Sequence, residues 1–207
     1  MSSVIVTGGC GFIGTKLVLR LVKDGHDVIV IDRDEPELEI VNVHYIKREL
    51  GQDIPLPEFQ NKDIVYHLAA EARVQKTYDD PVLALDNNTK ATLEVLNAAR
   101  TYGVNRVVYA STSSVYKNYE CGRILEEDEL SHIGPVNPYG ISKLQGEEWC
   151  KFFGLNTSID TVCLRFFNVY GPRQPWEGTS INPSTTDSIG PAESHPESSQ
   201  NRQGCRL

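Results

Sequence analysis

Tyr139 and Lys143 stand four residues apart in the run Asn137-Pro138-Tyr139-Gly140-Ile141-Ser142-Lys143. In a helix that spacing brings both side chains to one face. An ammonium beside a phenol favours the tyrosinate and lowers its pKa from about 10. The pair is therefore a candidate general base for a substrate hydroxyl near neutral pH. A Tyr-x-x-x-Lys pair arises readily by chance, so its setting carries the weight. Upstream, Ser111, Thr112, Ser113 and Ser114 form a run of hydroxyls. One of them can hydrogen-bond a reacting oxygen, or the run can close a polar turn on its own backbone.

A second constellation opens the chain, in Thr7-Gly8-Gly9-Cys10-Gly11-Phe12-Ile13-Gly14. Gly8 permits a tight turn, Gly11 lets backbone approach a pyrophosphate, and Gly14 lets a helix pack near a sheet. Free N–H groups at the helix N-terminus then bind the anion. A glycine-rich string alone is a weak signal, but here a strand precedes it and an amphipathic helix follows. Asp32 ends the next strand, 18 residues past Gly14, near the expected separation of about 20. Its carboxylate should accept from the adenosine ribose hydroxyls and repel a 2′-phosphate, favouring NAD over NADP. Arg33 follows directly and can soften that preference.

The elements that position these residues follow from periodicity. Short apolar runs predict strands at Ser3–Thr7, Asp27–Asp32, 43–46, 63–69, Arg106–Thr112 and 161–169. Between them, Ile13, Leu17 and Leu21 mark one face of a helix over 11–24, with Gly25 after its end. A long helix is expected over 82–102, stopped by Gly103. Another spans 138–153, with Asn137 as its cap and Pro138 in its first turn. Strands apolar nearly throughout and separated by helices imply a parallel sheet covered on both faces. The fold class is thus α/β, a doubly wound sheet of the Rossmann type over residues 1–173, with ligands at the carboxyl ends of its strands. Residues 174–207, rich in Ser, Pro, Thr and Gly, show no helix or strand period and are expected to form a disordered or irregular tail.

Composition narrows the classes. The 207 residues carry a formal charge of −8, with 40% apolar and 23% charged residues. That charge argues against nucleic acid and anionic membrane as partners. No basic leader precedes an apolar run, and no stretch approaches the roughly 18 apolar residues of a membrane span. The five cysteines show no metal-ligand spacing, so no metal is expected and the thiols are read as reduced, in a cytoplasmic chain.

These motifs together resemble the extended short-chain dehydrogenase/reductases, specifically the NAD-dependent nucleotide-sugar epimerases and dehydratases of the UDP-glucose 4-epimerase type. The matching stretches are TGGCGFIG at the start, DIVYHLAA at 63–70, VVYASTSSVY at 107–116, NPYGISK at 137–143 and LRFFNVYGPRQ at 164–174. The resemblance implies a catalytic set of Thr112, Tyr139 and Lys143. It implies cofactor contacts from Gly8, Gly11, Phe12, Ile13, Gly14, Asp32, Ser111, Tyr139 and Lys143. Asp53 and Ile54 would contact adenine, and Leu68, Ala69 and Ala70 would pass over the cofactor. Ser113, Asn88 and Asn168 are assigned to the nucleotide-sugar substrate, Asn88 matching a recurrent structural or active-site Asn. A homodimer through the helices at 82–102 and 138–153 is also implied. Ala91, Lys117 and the Phe166-Phe167 pair depart from the family's usual residues. The largest departure is the end: family members are longer, and residues 175–207 do not resemble their sugar-binding part, as in a truncated, spliced or frameshifted chain.

The implied reaction is 4-epimerisation of a UDP-hexose through a transient 4-keto sugar, with Tyr139 as the base on O4. Family dehydratases follow the Ser/Thr with an Asp-Glu pair, and decarboxylases often carry a Glu in that region. Here Ser113 and Ser114 follow Thr112, which favours the epimerase, with dehydratase or decarboxylase as the alternative. A reading from another class is a catalytically inactive NAD-binding or dimerisation module. A third is an unstable fragment.

Overall fold

The computed structural model describes residues 1–52, 55–116, 135, 137–172 and 174. Asp53 and Ile54 lie outside the described residues, as do Lys117 and nearly all of the expected tail.

Six strands form one parallel sheet: β1 (Ser3–Thr7), β2 (Asp27–Asp32), β3 (Val43–Lys47), β4 (Ile64–His67), β5 (Arg106–Thr112) and β6 (Asp160–Phe166). Their spatial order is β3-β2-β1-β4-β5-β6, the doubly wound order with its reversal between β1 and β4. Alternation along β1 supplies both faces of the core. Val4 and Val6 join Val18, Leu21, Val28 and Val30 on one face. Ile5 joins Val65, Leu96, Val107 and Tyr109 on the other.

Helix α1 (Phe12–Lys23) buries Gly14, Val18 and Leu21 against the first face. Ile13 and Leu17, expected on that face, are half-buried at its margin. Arg20 and Lys23 in the last turn suit the helix dipole, and Gly25 follows at φ +82°.

The second face is covered by α4 (Ala91–Tyr102) and α5 (Pro138–Asn156), and short α2 (Val74–Asp79) and α3 (Pro81–Ala84) pack against α5. The helix expected over 82–102 is not one regular helix. Asp80 caps α3 by accepting from the amides of Val82 and Leu83, and a π-helical turn then occupies Leu85–Lys90 before α4. The wider turn carries Asn88 into the interior, and the Thr92 hydroxyl donates to the Asn88 carbonyl at 2.7 Å. Gly103, at φ +71°, ends α4. Asn137 caps α5, accepting from the Gly140 amide at 2.7 Å, and α5 runs three residues beyond its expected end. Short α2 was not foreseen, because Thr77 is its one buried residue and leaves no periodic stripe. Among the described residues, no helix is long and apolar enough to cross a membrane.

Candidate active site

At the carboxyl ends of the strands lies a cleft of about 940 Å³, over the reversal point where such sheets bind ligands. Its floor is the turn from β1 into α1. Gly8 sits at φ +72°, and a Cβ there would lie 2.6 Å from the Ala69 nitrogen. A Cβ on Gly14 would lie 2.1 Å from the Gly8 carbonyl oxygen. Both contacts exclude any side chain, so the turn and the helix close tightly on each other. Phe12 and Ile13 begin α1, whose first turn carries no acidic residue. Their amides and the helix dipole leave room for an anion.

Asp32 is fixed at the end of β2. Its carboxylate accepts from the Cys10 amide at 2.9 Å and from the Asp34 amide at 3.1 Å. Burial and the nearby Asp32 push the Cys10 thiol up to about 12, so that cleft-lining cysteine stays protonated.

The opposite end of the cleft brings together Thr112 from the end of β5, and Tyr139 and Lys143 from successive turns of α5. The Tyr139 phenol lies beside the Thr112 hydroxyl, close enough for that hydroxyl to favour its charged form. Thr112 Oγ1 also accepts from the Ser114 amide at 3.2 Å. Lys143 is buried; its ammonium donates to the Ala110 carbonyl at 2.8 Å and lies 4.9 Å from the Tyr109 ring centre. Burial lowers its pKa from 10.5 to about 8.

The phenol departs from expectation. Burial raises the Tyr139 pKa above 10.0, and the neighbouring Thr112 hydroxyl pulls in the opposite direction without prevailing. In this chain alone the neighbouring lysine does not produce a depressed tyrosine. The loss of water around the ring outweighs the Thr112 contact.

Gly8, Gly11, Phe12, Ile13, Gly14, Asp32, Leu68, Ala69, Ala70, Ser111 and Asn168 all line the same cleft as the catalytic set. Asn88 and Ser113 are not among its described lining residues. Asn88 lies behind the wall. Its oxygen accepts from the Glu71 amide at 2.8 Å, and its nitrogen donates to the Ser142 hydroxyl at 2.8 Å. With the amide engaged at both ends, Asn88 braces the cleft instead of facing it. Ser113 opens a short 3-10 turn, Ser113–Val115. The Ser111 hydroxyl turns away from the cleft to the Glu147 carboxylate.

Sequence reasoning missed an ionic group in the cleft wall. Glu71 is buried; its carboxylate accepts from Arg73 Nε at 2.9 Å and from Arg33 at 3.4 Å. The available signal was a Glu-x-Arg step directly after Leu68, Ala69 and Ala70. Arg33, read as a modifier of cofactor choice, is drawn toward Glu71 in this state.

A glycine cradle that no side chain can enter, exposed helix-start amides and a fixed acid beyond them fit a dinucleotide. Comparison with known proteins agrees. The sequence profile of the NAD dependent epimerase/dehydratase family matches residues 4–189, running past the domain boundary expected at 173. MoeE5, solved in complex with UDP-glucuronic acid and NAD, superposes with a TM-score of 0.77 at 35% identity, over 84% of this chain and 57% of that one. UDP-glucose 4-epimerase from Thermus thermophilus, in complex with NAD, gives a TM-score of 0.77 at 33% identity, over 85% and 58%. UDP-glucuronic acid decarboxylase 1 of Xenopus tropicalis is 32% identical over 177 residues, 82% of this chain and 42% of that protein. The chain spans between 42% and 58% of the length of such curated relatives. On the profile match and the shared fold, the chain belongs to the NAD-dependent epimerase/dehydratase family.

Proposed function

We propose that this chain takes part in NAD-dependent 4-epimerisation of a UDP-hexose through a transient 4-keto sugar. The observation that carries the reading is the meeting of Thr112, Tyr139 and Lys143 in one cleft with the glycine turn and Asp32. NAD, when bound, supplies a reversible hydride acceptor at the sugar carbon. Gly8, Gly11, Phe12, Ile13 and Gly14 would hold its pyrophosphate, and Asp32 its adenosine ribose. Leu68, Ala69 and Ala70 would flank it.

Tyr139 takes the proton from the sugar O4 and later returns it. Thr112, beside the phenol, steadies the same oxygen. Lys143 places a positive charge beside the forming phenolate, which offsets the cost that burial imposes on it. Asn168 lies in the cleft wall where a sugar nucleotide would rest. Ser113 and Ser114 supply no acid after Thr112, which supports an epimerase over dehydratase or decarboxylase chemistry.

The test is interconversion of UDP-glucose and UDP-galactose by the NAD-loaded chain and by Tyr139→Phe. Turnover reduced about 10²- to 10⁴-fold in the variant, at similar NAD affinity, supports the reading. NAD binding without any interconversion by the unaltered chain would leave a cofactor-binding module instead.

We also propose self-association through the apolar face of α5. Ile141, Trp149 and Phe152 are exposed there, beside Tyr78, Val82 and Leu85 from α2, α3 and the π-helical turn. Sedimentation of Phe152→Lys against the unaltered chain checks it: a dimer for the latter and a monomer for the variant.

A further inference from the structure

Three consecutive residues at the end of β5 are each held by one α5 residue, and the three α5 residues lie one turn apart on one face. Tyr139 stands beside the Thr112 hydroxyl, Lys143 donates to the Ala110 carbonyl, and Glu147 accepts from the Ser111 hydroxyl. Tyr139 and Lys143 face the cleft. Glu147 is buried and lines instead a second groove, between α5 and β6.

Glu147 also binds β6. Arg165 Nε donates to its Oε1 at 2.9 Å, and Arg165 Nη2 donates to its Oε2 at 2.7 Å. This parallel fork fixes direction as well as distance. Arg165 pairs in register with Ser111, so the carboxylate bridges two neighbouring strands. The guanidinium reaches further: Arg165 Nη1 donates to the Tyr116 hydroxyl at 3.0 Å, and the group lies 4.8 Å from that ring's centre. Tyr116 closes the 3-10 turn Ser113–Val115, its amide donating to the Ser113 carbonyl at 3.1 Å. The amide of that turn at Ser114 donates to Thr112 Oγ1. Glu147 therefore grips Thr112 from both sides, through Ser111 before it and through Arg165, Tyr116 and the turn after it.

A buried ion pair is weak evidence for stability, because a well-packed apolar pair often does as well. Its geometric consequence here is more specific. We propose that Glu147 is a positioning residue that sets the Thr112 hydroxyl against the Tyr139 phenol, acting through Ser111 and Arg165 without touching substrate. The proposal rests on the reading of Thr112, Tyr139 and Lys143 as the reacting set.

The experiment compares the full chain with Glu147→Gln and Ser111→Ala. Three-bond couplings to the Thr112 methyl report its χ1 rotamer by NMR, and steady-state kinetics are measured on the same NAD-loaded samples. The expected result is one Thr112 rotamer in the unaltered chain and averaging in both variants. With it, kcat falls about 10- to 100-fold, while KM and NAD affinity stay within about threefold. A fixed Thr112 rotamer and an unchanged kcat in folded Glu147→Gln overturn the proposal. If Glu147→Gln does not fold, Ser111→Ala decides by the same two criteria. If the unaltered chain binds NAD without turning over sugar, the functional reading fails, and the rotamer measurement alone decides this one.

Discussion

The ammonium of Lys143 donates to the carbonyl of Ala110 at 2.8 Å in a buried position, beside the ring of Tyr109. Burial lowers its pKa from 10.5 to about 8. NMR titration of the Lys143 Cε resonance, assigned with Lys143→Arg, should show an inflection near pH 8. The sign for stability follows. Between about pH 8 and 10.5 the unfolded chain holds a proton that the folded chain has released, so folding becomes more favourable as pH rises through that window. Denaturant unfolding at pH 7 and pH 10 should show this rise, and Lys143→Met should lack it.

His67 works over the acid range. Its two ring nitrogens meet Thr7 Oγ1 at 2.7 Å and Thr92 Oγ1 at 3.0 Å, and the ring is buried. Burial, helped by the charge of Lys143, pushes its pKa from 6.5 down to about 3. The unfolded chain gains a proton near pH 6.5 that the folded chain refuses until about pH 3, so stability falls with pH across that interval. The slope from this one group approaches about 1.4 kcal/mol per pH unit. Urea unfolding at pH 7 and 4.5 should show it. His67→Gln should be less stable at pH 7 and less sensitive to acid.

Asp32 is the group most exposed to a simple binding test. Its carboxylate is already oriented by the amides of Cys10 and Asp34. Asp32→Ala should weaken NAD binding about 10- to 100-fold by calorimetry, the loss of a charged hydrogen-bond acceptor. Thermal stability should change little. Equal affinity in the variant would remove Asp32 from the cofactor site.

Gly14 gives a steric test. A methyl group there would stand 2.1 Å from the Gly8 carbonyl oxygen. Gly14→Ala must push α1 away from the β1 turn, at a cost of about 1–3 kcal/mol. Unfolding by heat should occur at lower temperature, and NAD binding should disappear with the distorted turn. Gly11→Ala, whose Cβ would lie 3.3 Å from the same oxygen, should be milder in stability.

What the sequence revealed depended on the range of the interaction. The glycine turn, Asp32 and the capped start of α5 at Asn137 are set by residues close in the chain, and they were legible. The strands were legible because an apolar run has few alternatives. The π-helical turn at Leu85–Lys90 was not, since it depends on Asn88 meeting Glu71 and Ser142 from distant parts of the chain. The aim of Ser111 away from the cleft depends on Glu147, 36 positions on. The Tyr139 pKa ran against expectation for the same reason: spacing locates a charge, but burial is a property of the assembled fold.

The sheet's two margins differ in chemistry. β3 presents exposed His44 and Lys47, the latter paired with Glu35 at 3.0 Å. Among the described residues β6 forms the other margin, with Val162 and Leu164 exposed. Charge along an edge discourages the addition of a foreign strand, whereas a bare apolar edge invites it. Among the described residues, the β6 margin is therefore the one more open to an added strand.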